Sequence, residues 1–437
     1  RRRNRSRPAS GSYGVNVAGY DRYKRWMDDG WAKVRDLGTV LGPLHPLVAE
    51  NVERLREISG QEEVSFHLSG TEAVMAAVRL VRFNTRRRKI VCFSGAYHGW
   101  WDGVQPGLGS ERAIDDVISL SEMKPGSLDV IRARAGEIAG VLINPVQSFH
   151  PNAPPPNDAV LLSSDVRRTE AATDGYRDWL GALREVCTEC GVPLIFDEIY
   201  SGFRLAPGGA QTYFGVPADL VLYGKTVAGG LPIGVVCGPK HLMCRFDPEH
   251  PMRLAYVVGT FSAYPAAMGA MHEFLTWVTG PEAAAEYARA NAGCGAWAAA
   301  TSAALAEAGL PMRVVNLGTI WTVEFTRASR FNWLLQYYLR LEGINLSWVG
   351  TGRCLFSLDV SRAELDAVRE ALVSAGRRMC EDKWWLSDEE QPDQHRTIRY
   401  RLIKDMAASV MRIPQPLQAF YGEVMRRKHD DHVASHS

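Results

Sequence analysis

The chain has 437 residues, 46% of them hydrophobic, so it is long enough for one large layered domain and a smaller one. Its 50 Lys and Arg residues against 49 Asp and Glu residues leave a formal charge of +1, which argues against nucleic acid as a general partner. No apolar run approaches the length of a membrane helix or forms a signal core. The eight scattered cysteines favour a reducing, cytoplasmic environment over a disulfide framework.

The N-terminal segment is strongly basic, since residues 1–7 carry arginine at every position except Asn4 and Ser6. Such an arm can bind a polyanion, but with no apolar or aromatic residue to order it, a solvated end is favoured. The chain also starts without Met, which suggests a domain cut from a longer polypeptide. A trimmed terminus would look the same.

A phosphate-binding turn is predicted after the first strand of the body. Residues 64–68 alternate like a strand and run into Ser69, Gly70 and Thr71, which begin a helix. Free backbone N–H groups and hydroxyls at the positive end of a helix dipole suit a phosphate. The same three residues also form an ordinary capping turn, and on their own they leave both interpretations open.

Two more buried strands are predicted to end in polar side chains. Residues 89–93 precede Tyr97 and His98, and residues 140–143 precede Asn144. An aromatic ring after a strand end can stack on a planar ligand and exclude water from it, which is the role predicted for Tyr97. His98 is either a structural histidine or a contact to that ligand or to the substrate.

Residues 148–175 form a Pro-rich and then Ser/Asp-rich stretch without clear periodicity. Such stretches are usually lids, interfaces or disordered segments, and we predict a lid near a substrate entrance. A helix over 177–190 follows. It carries Cys187 and Cys190, a lone CxxC. Without a second pair of ligands, this motif does not predict a metal site, and no metal is expected.

Asp197 and Lys225 follow two neighbouring apolar runs, Leu194 to Phe196 and Leu220 to Tyr223. Buried parallel strands present their carboxyl ends at one crevice, so both side chains are expected there. A lysine amine and a buried carboxylate are what pyridoxal phosphate requires: the amine forms a Schiff base, and the acid keeps the pyridine nitrogen protonated. The alternative is a buried Asp/Lys ion pair without a cofactor.

The motifs around this pair resemble a known family. They are Phe196-Asp-Glu-Ile, Gly202-Phe-Arg, Gly208-Gly-Ala-Gln, Tyr213-Phe-Gly and Gly224-Lys. They look like the class III, fold-type I pyridoxal phosphate aminotransferases of the glutamate-1-semialdehyde aminomutase subgroup, and most closely like the aminotransferase domains of polyketide and peptide synthases. The similarity runs from about residue 42 to about residue 379. It implies an α/β fold, with a large domain around a mostly parallel sheet and a smaller α+β domain.

The resemblance also implies roles for individual residues. Lys225 would carry the cofactor and shuttle the substrate proton, Asp197 would pair with the pyridine nitrogen, and Tyr97 and Ile199 would sandwich the ring. The phosphate would be held by the turn at 69–71 and by Thr260 of the partner subunit, which makes the expected working form a homodimer with shared sites.

Comparison with the family's motifs suggests three candidate substrate residues. Two of them differ from the residue that the family usually carries, and one matches it. Asn144 stands where the family usually carries Glu, whose partner is a mobile arginine that aligns with Arg353. Without that Glu, Arg353 would stand ready for an anion; an ordinary surface ion pair is the other interpretation. Tyr200 stands where many ω-aminotransferases have Gln, which is consistent with a less polar site.

The predicted division of the chain is an N-terminal arm and segment (1–59), a large cofactor-binding domain (60–265), a small domain (266–380) and a C-terminal extension (381–437). The predicted function is transfer of an amino group from an amino acid to an aldehyde or ketone of a fatty or polyketide intermediate in secondary metabolism. The alternatives are an aminomutase of the glutamate-1-semialdehyde type and a non-catalytic docking module of a megasynthase.

Overall fold

The computed structural model describes residues 7–8, 11–39, 41, 44–93, 96–104, 115–120, 123–146, 172–327, 329, 331–345 and 354–385. Its strands, in chain order, are β1 (Arg7–Pro8), β2 (Glu63–His67), β3 (Lys89–Phe93), β4 (Val117–Leu120), β5 (Ile138–Ile143), β6 (Leu194–Asp197), β7 (Leu220–Gly224), β8 (Gly234–Gly238), β9 (Met312–Leu317), β10 (Ile320–Phe325), β11 (Ile344–Asn345) and β12 (Cys354–Leu355). Its helices are α1 (Tyr20–Val34), α2 (Leu47–Ser59), α3 (Gly70–Thr85), α4 (Pro125–Arg134), α5 (Ala172–Glu189), α6 (Gly209–Phe214), α7 (Lys240–Met243), α8 (Pro265–Val278), α9 (Pro281–Glu307), α10 (Leu335–Leu341) and α11 (Arg362–Glu381).

The central sheet has seven strands in the order β2-β8-β7-β6-β5-β3-β4. β8 pairs antiparallel with both neighbours, and every other pairing in this sheet is parallel. The reversal follows Gly229 and Gly230, whose φ angles of 57° and 85° give the left-handed backbone that such a tight turn needs. The other strands therefore present their carboxyl ends at one edge of the sheet.

Both faces of this sheet are buried, which explains why its inner strands are continuous apolar runs. In β7, Val221 and Tyr223 face the core that includes α5 and α8, while Leu220 and Leu222 face the core beneath α3. The helix α3 is apolar on that side, because Val74, Ala77, Val78 and Val81 are all buried. The sheet is thus the middle layer of three and holds its strand ends rigidly.

The N-terminal helix α1 lies against α8. Gly30 and Gly269 lie at the crossing, where a Cβ atom on Gly30 would be 2.4 Å from the backbone carbon of Gly269. The absence of both side chains lets the two backbones approach closely. This contact fixes α1 against α8, which packs in the core on one face of the central sheet.

A third core lies around the three-stranded antiparallel sheet β12-β10-β9, with α9 and α11 packed on it. The helix α11 begins with a capping box, in which Ser361 and Glu364 each satisfy the other's backbone N–H. Trp385, just after α11, is buried and donates its indole N–H to Asn332 at 2.9 Å. The first residues beyond 380 therefore pack onto the body, as predicted.

Most predicted elements are confirmed, including the strand ends before Asp197 and Lys225 and the buried face of α3. The helix before the central strand begins at Ala172, earlier than predicted, and the sequence analysis missed β4 and the reversed strand β8. Most of the predicted lid at 148–175 and nearly all of the C-terminal extension lie outside the described residues. Within the described ranges, no helix is both long enough and apolar enough to cross a membrane.

Candidate active site

Five segments that follow strands of the central sheet converge at its carboxyl edge. Ser69 follows β2, His98 follows β3, Asn144 follows β5, Asp197 ends β6 and Lys225 follows β7. Asp197 lies opposite Leu222 in the parallel register of β6 and β7. Lys225 is three residues further on, about 10 Å along the strand direction, which leaves room for a ligand between the two side chains.

Asp197 is almost completely buried and is held from two sides. Its Oδ2 atom accepts a hydrogen bond from Nδ1 of His98 at 2.7 Å, and its Oδ1 atom accepts one from the backbone N–H of Ile199 at 3.1 Å. A carboxylate can only accept, so this geometry assigns the proton between the two side chains to His98 Nδ1. The Nε2 atom of His98 is buried and has no hydrogen-bond partner among the described residues.

Asn144 ties the loop after β3 to the end of β6. Its Oδ1 atom accepts the backbone N–H of Tyr97 at 3.0 Å, and its Nδ2 atom lies 3.4 Å from the backbone oxygen of Asp197. The same Nδ2 atom lies 3.5 Å from Nδ1 of His98. Asn144 was predicted as a substrate residue, but its amide is engaged by the protein, which favours a positioning role.

Lys225 has a left-handed backbone, with φ of 48°, at the start of a 3₁₀ turn. Its Nζ atom lies 5.8 Å from the centre of the Tyr200 ring. Gly14 lies beside both side chains, and a Cβ atom there would come within 2.8 Å of Tyr200 and 3.3 Å of Lys225. The N-terminal segment therefore forms part of the wall around the lysine.

The turn at Ser69 has the form of an anion site. The Ser69 hydroxyl accepts the backbone N–H of Glu72 at 3.2 Å and caps α3. The N–H groups of Gly70 and Thr71, at the start of the helix, have no acceptor inside it. A Cβ atom on Gly70 would come within 2.9 Å of Ile199, and one on Gly99 would come within 2.4 Å of Thr71. The absence of a side chain at both positions lets Ile199 pack close to the helix start and lets the loop after β3 approach Thr71.

A second buried acid, Glu198, lies directly after Asp197. It accepts backbone N–H groups from Ala210 at 2.6 Å and Gln211 at 2.9 Å, at the start of α6. Burial raises the pKa of Glu198 to about 7, and these hydrogen bonds oppose that rise. The sequence analysis quoted Glu198 within a motif but gave it no role. The available signal was its position directly after Asp197 at the end of a buried strand, where a second acid is expected to be buried as well.

Two further contacts tie the N-terminal segment to the site, and the sequence analysis missed both. Arg204 is fully buried and donates to the backbone oxygens of Gly14 at 3.1 Å and Asn16 at 3.0 Å. Burial lowers the pKa of its guanidinium. The Tyr23 hydroxyl contacts the hydroxyl of Thr226, the residue after Lys225. No local pattern predicts these pairs, because their members are far apart in the chain.

The remaining predicted residues lie in different settings. Tyr97 is 60% exposed, and Thr260 is also exposed, so neither is enclosed within the single chain. Arg353 lies outside the described residues. In the described part of the chain, no group of three or more His, Cys, Asp or Glu residues is arranged to hold a metal ion. Cys187 is buried in the core, where burial raises the pKa of its thiol to about 12.

Sequence comparison identifies the family to which this arrangement corresponds. Residues 41–105 and 173–375, together more than half of the chain, match the profile of the family Aminotransferase class-III. The chain belongs to the class III aminotransferase family. This confirms the family predicted from the motifs, while the closer resemblance to synthase-embedded domains stays a prediction.

One relative of this class III chain is a glutamate-1-semialdehyde 2,1-aminomutase from Alkaliphilus oremlandii, which is 35% identical over 282 residues. The match covers 61% of this chain and 61% of the relative, so the chain spans somewhat less than two thirds of that protein's length. A glutamate-1-semialdehyde 2,1-aminomutase from Methanococcus vannielii is 34% identical, and the match covers 60% of each chain.

Two solved structures resemble the class III chain over most of its length. A transaminase with PLP bound matches with a TM-score of 0.68 at 27% identity, covering 85% of this chain and 86% of the other. An ω-transaminase from Sphaerobacter thermophilus matches with a TM-score of 0.67 at 25% identity, with the same coverage. The fold is therefore that of a fold-type I transaminase, and pyridoxal phosphate is the family's cofactor.

The residues present fit that cofactor. The site offers one lysine amine, one buried carboxylate and a helix start capped by Ser69. The buried Nε2 atom of His98 adds a polar atom that nothing in the described chain satisfies. These are the groups that a planar, phosphorylated aldehyde requires.

Proposed function

We propose that this protein catalyses pyridoxal phosphate-dependent transfer of an amino group. The observation that carries the proposal is the position of Asp197 and Lys225 on adjacent parallel strands, at the same edge of the sheet as the capped start of α3. When bound, the cofactor supplies an aldehyde that accepts the amino group and a ring that takes up electrons from the substrate carbon. The protein contributes binding, orientation and proton transfer.

Each residue at this edge has a proposed task. Lys225 anchors the cofactor through its amine and then carries a proton to and from the substrate carbon. Asp197 holds a proton at the ring nitrogen. Ile199 and Tyr97 bracket the ring on its two faces and exclude water. The N–H groups and hydroxyls of residues 69–71 bind the phosphate, assisted by the positive end of the α3 dipole.

Replacing the lysine tests this proposal. In Lys225→Ala, turnover and the visible absorbance of the bound cofactor should both disappear, because the amine that anchors the cofactor is absent. Lys240→Ala, at the start of α7, is the matched control and should keep both. A Lys225→Ala protein that retains turnover and the visible band would refute the assignment. A native protein with no visible band after incubation with pyridoxal phosphate would favour the non-catalytic docking module.

The substrate class has two candidates, and the relatives support the predicted alternative better than the main prediction. The curated relatives are aminomutases, which favours transfer of an amino group within one molecule. The predicted transfer to an aldehyde or ketone on a fatty or polyketide chain draws support from Tyr200, whose aromatic ring lies beside Lys225 and makes the wall less polar. The resemblance to an ω-transaminase is compatible with that reading.

One assay separates the two candidates. Glutamate-1-semialdehyde is the substrate of two parallel reactions, one without any other amino donor and one with added glutamate, and product formation is followed in both. An aminomutase forms product without the donor and releases no keto acid. A transaminase acting on a panel of aldehydes and ketones needs the donor and releases one equivalent of its keto acid for each amine formed.

We further propose that the working form is a homodimer in which Thr260 of the partner subunit contacts the phosphate. Supporting this, alternate residues on the strip before Thr260 are apolar and exposed, from 60% to 95%: Met252, Leu254, Tyr256 and Val258. Contiguous apolar exposure of this kind usually marks a protein contact. The described residues form one core on each face of the large sheet and another around the small sheet. The domain boundaries at 60, 266 and 381 remain part of this proposal, as does a reducing, cytoplasmic setting for the eight free cysteines.

Complementation tests the shared site. Thr260→Ala should weaken cofactor binding, and Lys225→Ala should be inactive. Mixing and reassembling the two variants should create one intact site per mixed dimer, with Lys225 from one chain and Thr260 from the other. Recovery of activity on mixing is the expected result, and a monomer in sedimentation, or no recovery from confirmed mixed dimers, would contradict the shared site.

A further inference from the structure

A second concave site lies at the opposite end of α3 from the candidate active site. It is a cleft of about 470 Å³ between the end of this helix, the segment before β4 and the segment after β8. Its lining consists of five arginines, one aromatic residue and one acid: Arg82, Arg86, Arg87, Arg88, Arg253, Phe83 and Asp116. The volume is that of a small-molecule site.

The positive charge of the cleft is only partly compensated. Arg82 pairs with Asp116 at 2.9 Å. Arg86 and Arg253 share a single acid, Asp247, at 2.9 Å and 3.3 Å. These are two carboxylates for three guanidinium groups, and His250 also lies 3.2 Å from Asp247.

The two remaining arginines have no carboxylate partner among the described residues. Arg87 donates through Nη1 to the backbone oxygens of Ile138 at 3.3 Å and Gly191 at 2.9 Å, which fixes its guanidinium but leaves its charge uncompensated. Arg88 is exposed, and its side chain makes no hydrogen bond or ion pair with any described residue. Such a concentration of like charge costs free energy unless an anion binds.

Several of these side chains are held in place before any ligand arrives. The Arg253 guanidinium lies 4.0 Å from the centre of the Phe83 ring and also hydrogen-bonds the Phe83 backbone oxygen. The Arg82 Nε atom donates to the backbone oxygen of Arg88 at 2.7 Å. A guanidinium has five N–H donors in a planar fork, so these contacts leave donors over for oxygen atoms of a ligand.

From these observations we infer that the cleft binds a small anion carrying two or more phosphate groups. Guanidinium forks match the paired oxygens of phosphate, and several forks around one concavity match a chain of phosphates better than a single one. The site is separate from the cofactor pocket. α3 runs from Gly70 to Thr85, about 24 Å at the rise of an α-helix, and the cofactor pocket lies at its other end.

Calorimetric titration of the cofactor-loaded enzyme with tripolyphosphate tests the inference, because the cofactor already fills the other phosphate site. One saturable site is expected, with tighter binding than for sulfate at equal ionic strength. Arg87→Gln/Arg88→Gln should weaken tripolyphosphate binding by about tenfold or more, since each charge-assisted contact is strong. Arg87→Lys/Arg88→Lys keeps the charges but loses the planar guanidinium donors. Its affinity for tripolyphosphate should lie between that of the native enzyme and that of the Gln double variant.

The matched control is Arg362→Gln/Arg377→Gln on α11, which removes the same net charge elsewhere and should change binding by less than about twofold. Arg88→Gln alone, at an exposed side chain, serves if the double variant does not fold by circular dichroism. The inference would be overturned if tripolyphosphate showed no saturable binding, or if its binding were unchanged in the cleft variants or equally weakened in the control. It would also be overturned if the cleft bound a short DNA duplex in place of tripolyphosphate. Turnover of the cleft variants should match that of the native enzyme, which separates this result from the proposed amino transfer.

Discussion

The imidazole of His98 lies 2.7 Å from the carboxylate of Asp197, and both side chains are almost completely buried. The two residues are 99 positions apart in the chain, and they meet because β3 and β6 both flank β5 in the central sheet. The pair fixes the orientation of the acid that we propose to hold the ring nitrogen. His98 acts through Asp197 and is therefore a positioning residue.

Removing the imidazole should lower turnover while the cofactor stays bound. We expect His98→Ala to reduce turnover by about 10–100-fold, by analogy with the loss seen when the hydrogen-bond partner of a metal ligand is removed. His98→Asn places an amide N–H near the Nδ1 position and should recover most of the loss. The pH dependence of the bound cofactor's absorbance should shift in His98→Ala and not in the exposed control His241→Ala. Native kinetics and an unshifted spectrum in His98→Ala would contradict the proposed role.

Asn144→Asp should be destabilising although the two side chains have the same shape. The variant keeps an acceptor for the Tyr97 N–H but replaces the Nδ2 donor near the Asp197 backbone oxygen by an acceptor, and it adds a third acid beside Asp197 and Glu198. We expect the free energy of unfolding to fall by about 1–3 kcal/mol and the cofactor to dissociate more readily. Denaturant unfolding and equilibrium dialysis measure the two effects, with Asn345→Asp at an exposed position as control. Equal losses in both variants would argue against this role for Asn144.

Glu198 should make stability depend on pH in a predictable direction. Burial raises its pKa from 4.5 to about 7, so the folded state retains its proton where the unfolded state has lost it. The contribution of Glu198 to the free energy of unfolding is therefore fully present below about pH 4.5 and is lost as the pH rises through about 7. His67 acts in the opposite direction, because burial lowers its pKa to about 4.

Comparison with Glu198→Gln isolates the glutamate, because the effect of His67 is common to both proteins. The difference in unfolding free energy, native minus variant, should decrease by up to about 3 kcal/mol as the pH is raised from about 5 to about 8. The exposed Glu57→Gln variant should show a constant difference over the same range. A pH-independent difference for Glu198→Gln would show that this acid is ionised in the folded state throughout.

Tyr23→Phe should destabilise the N-terminal segment. The buried hydroxyl donates to the Val15 backbone oxygen at 2.8 Å, accepts the Val17 N–H at 3.0 Å and contacts Thr226. Its removal leaves buried polar groups unsatisfied, at an expected cost of about 1–3 kcal/mol in the free energy of unfolding. Tyr13→Phe, at a residue of the same segment that is 63% exposed, should change it by less than about 0.5 kcal/mol. The same stability change in both variants would argue against the buried network.

The strand ends at Asp197 and Lys225 were predictable because buried strands of a parallel sheet are short apolar runs that stop at a polar residue. The capped start of α3 was also predictable from a local signal, because serine before glycine and threonine is typical of a helix N-terminus. The strand β8 was missed because its apolar run, Val-Val-Cys between two glycines, is too short to stand out from the turn before it, and nothing in that run indicates that the strand is reversed. Local patterns carry no information about strand direction.

The sequence by itself determined which residues stand at strand ends and helix starts, because hydrophobic period, caps and turns depend on neighbours in the chain. Only the tertiary structure decided that His98 and Asn144 hold Asp197 and that Gly14 lies against Lys225. It also decided that arginines from the end of α3 and from the segment after β8 line one cleft. These contacts depend on the order of strands in the sheet and on the paths of the connecting loops. That order is set by the packing of the whole chain, in which each long-range contact stabilises the others.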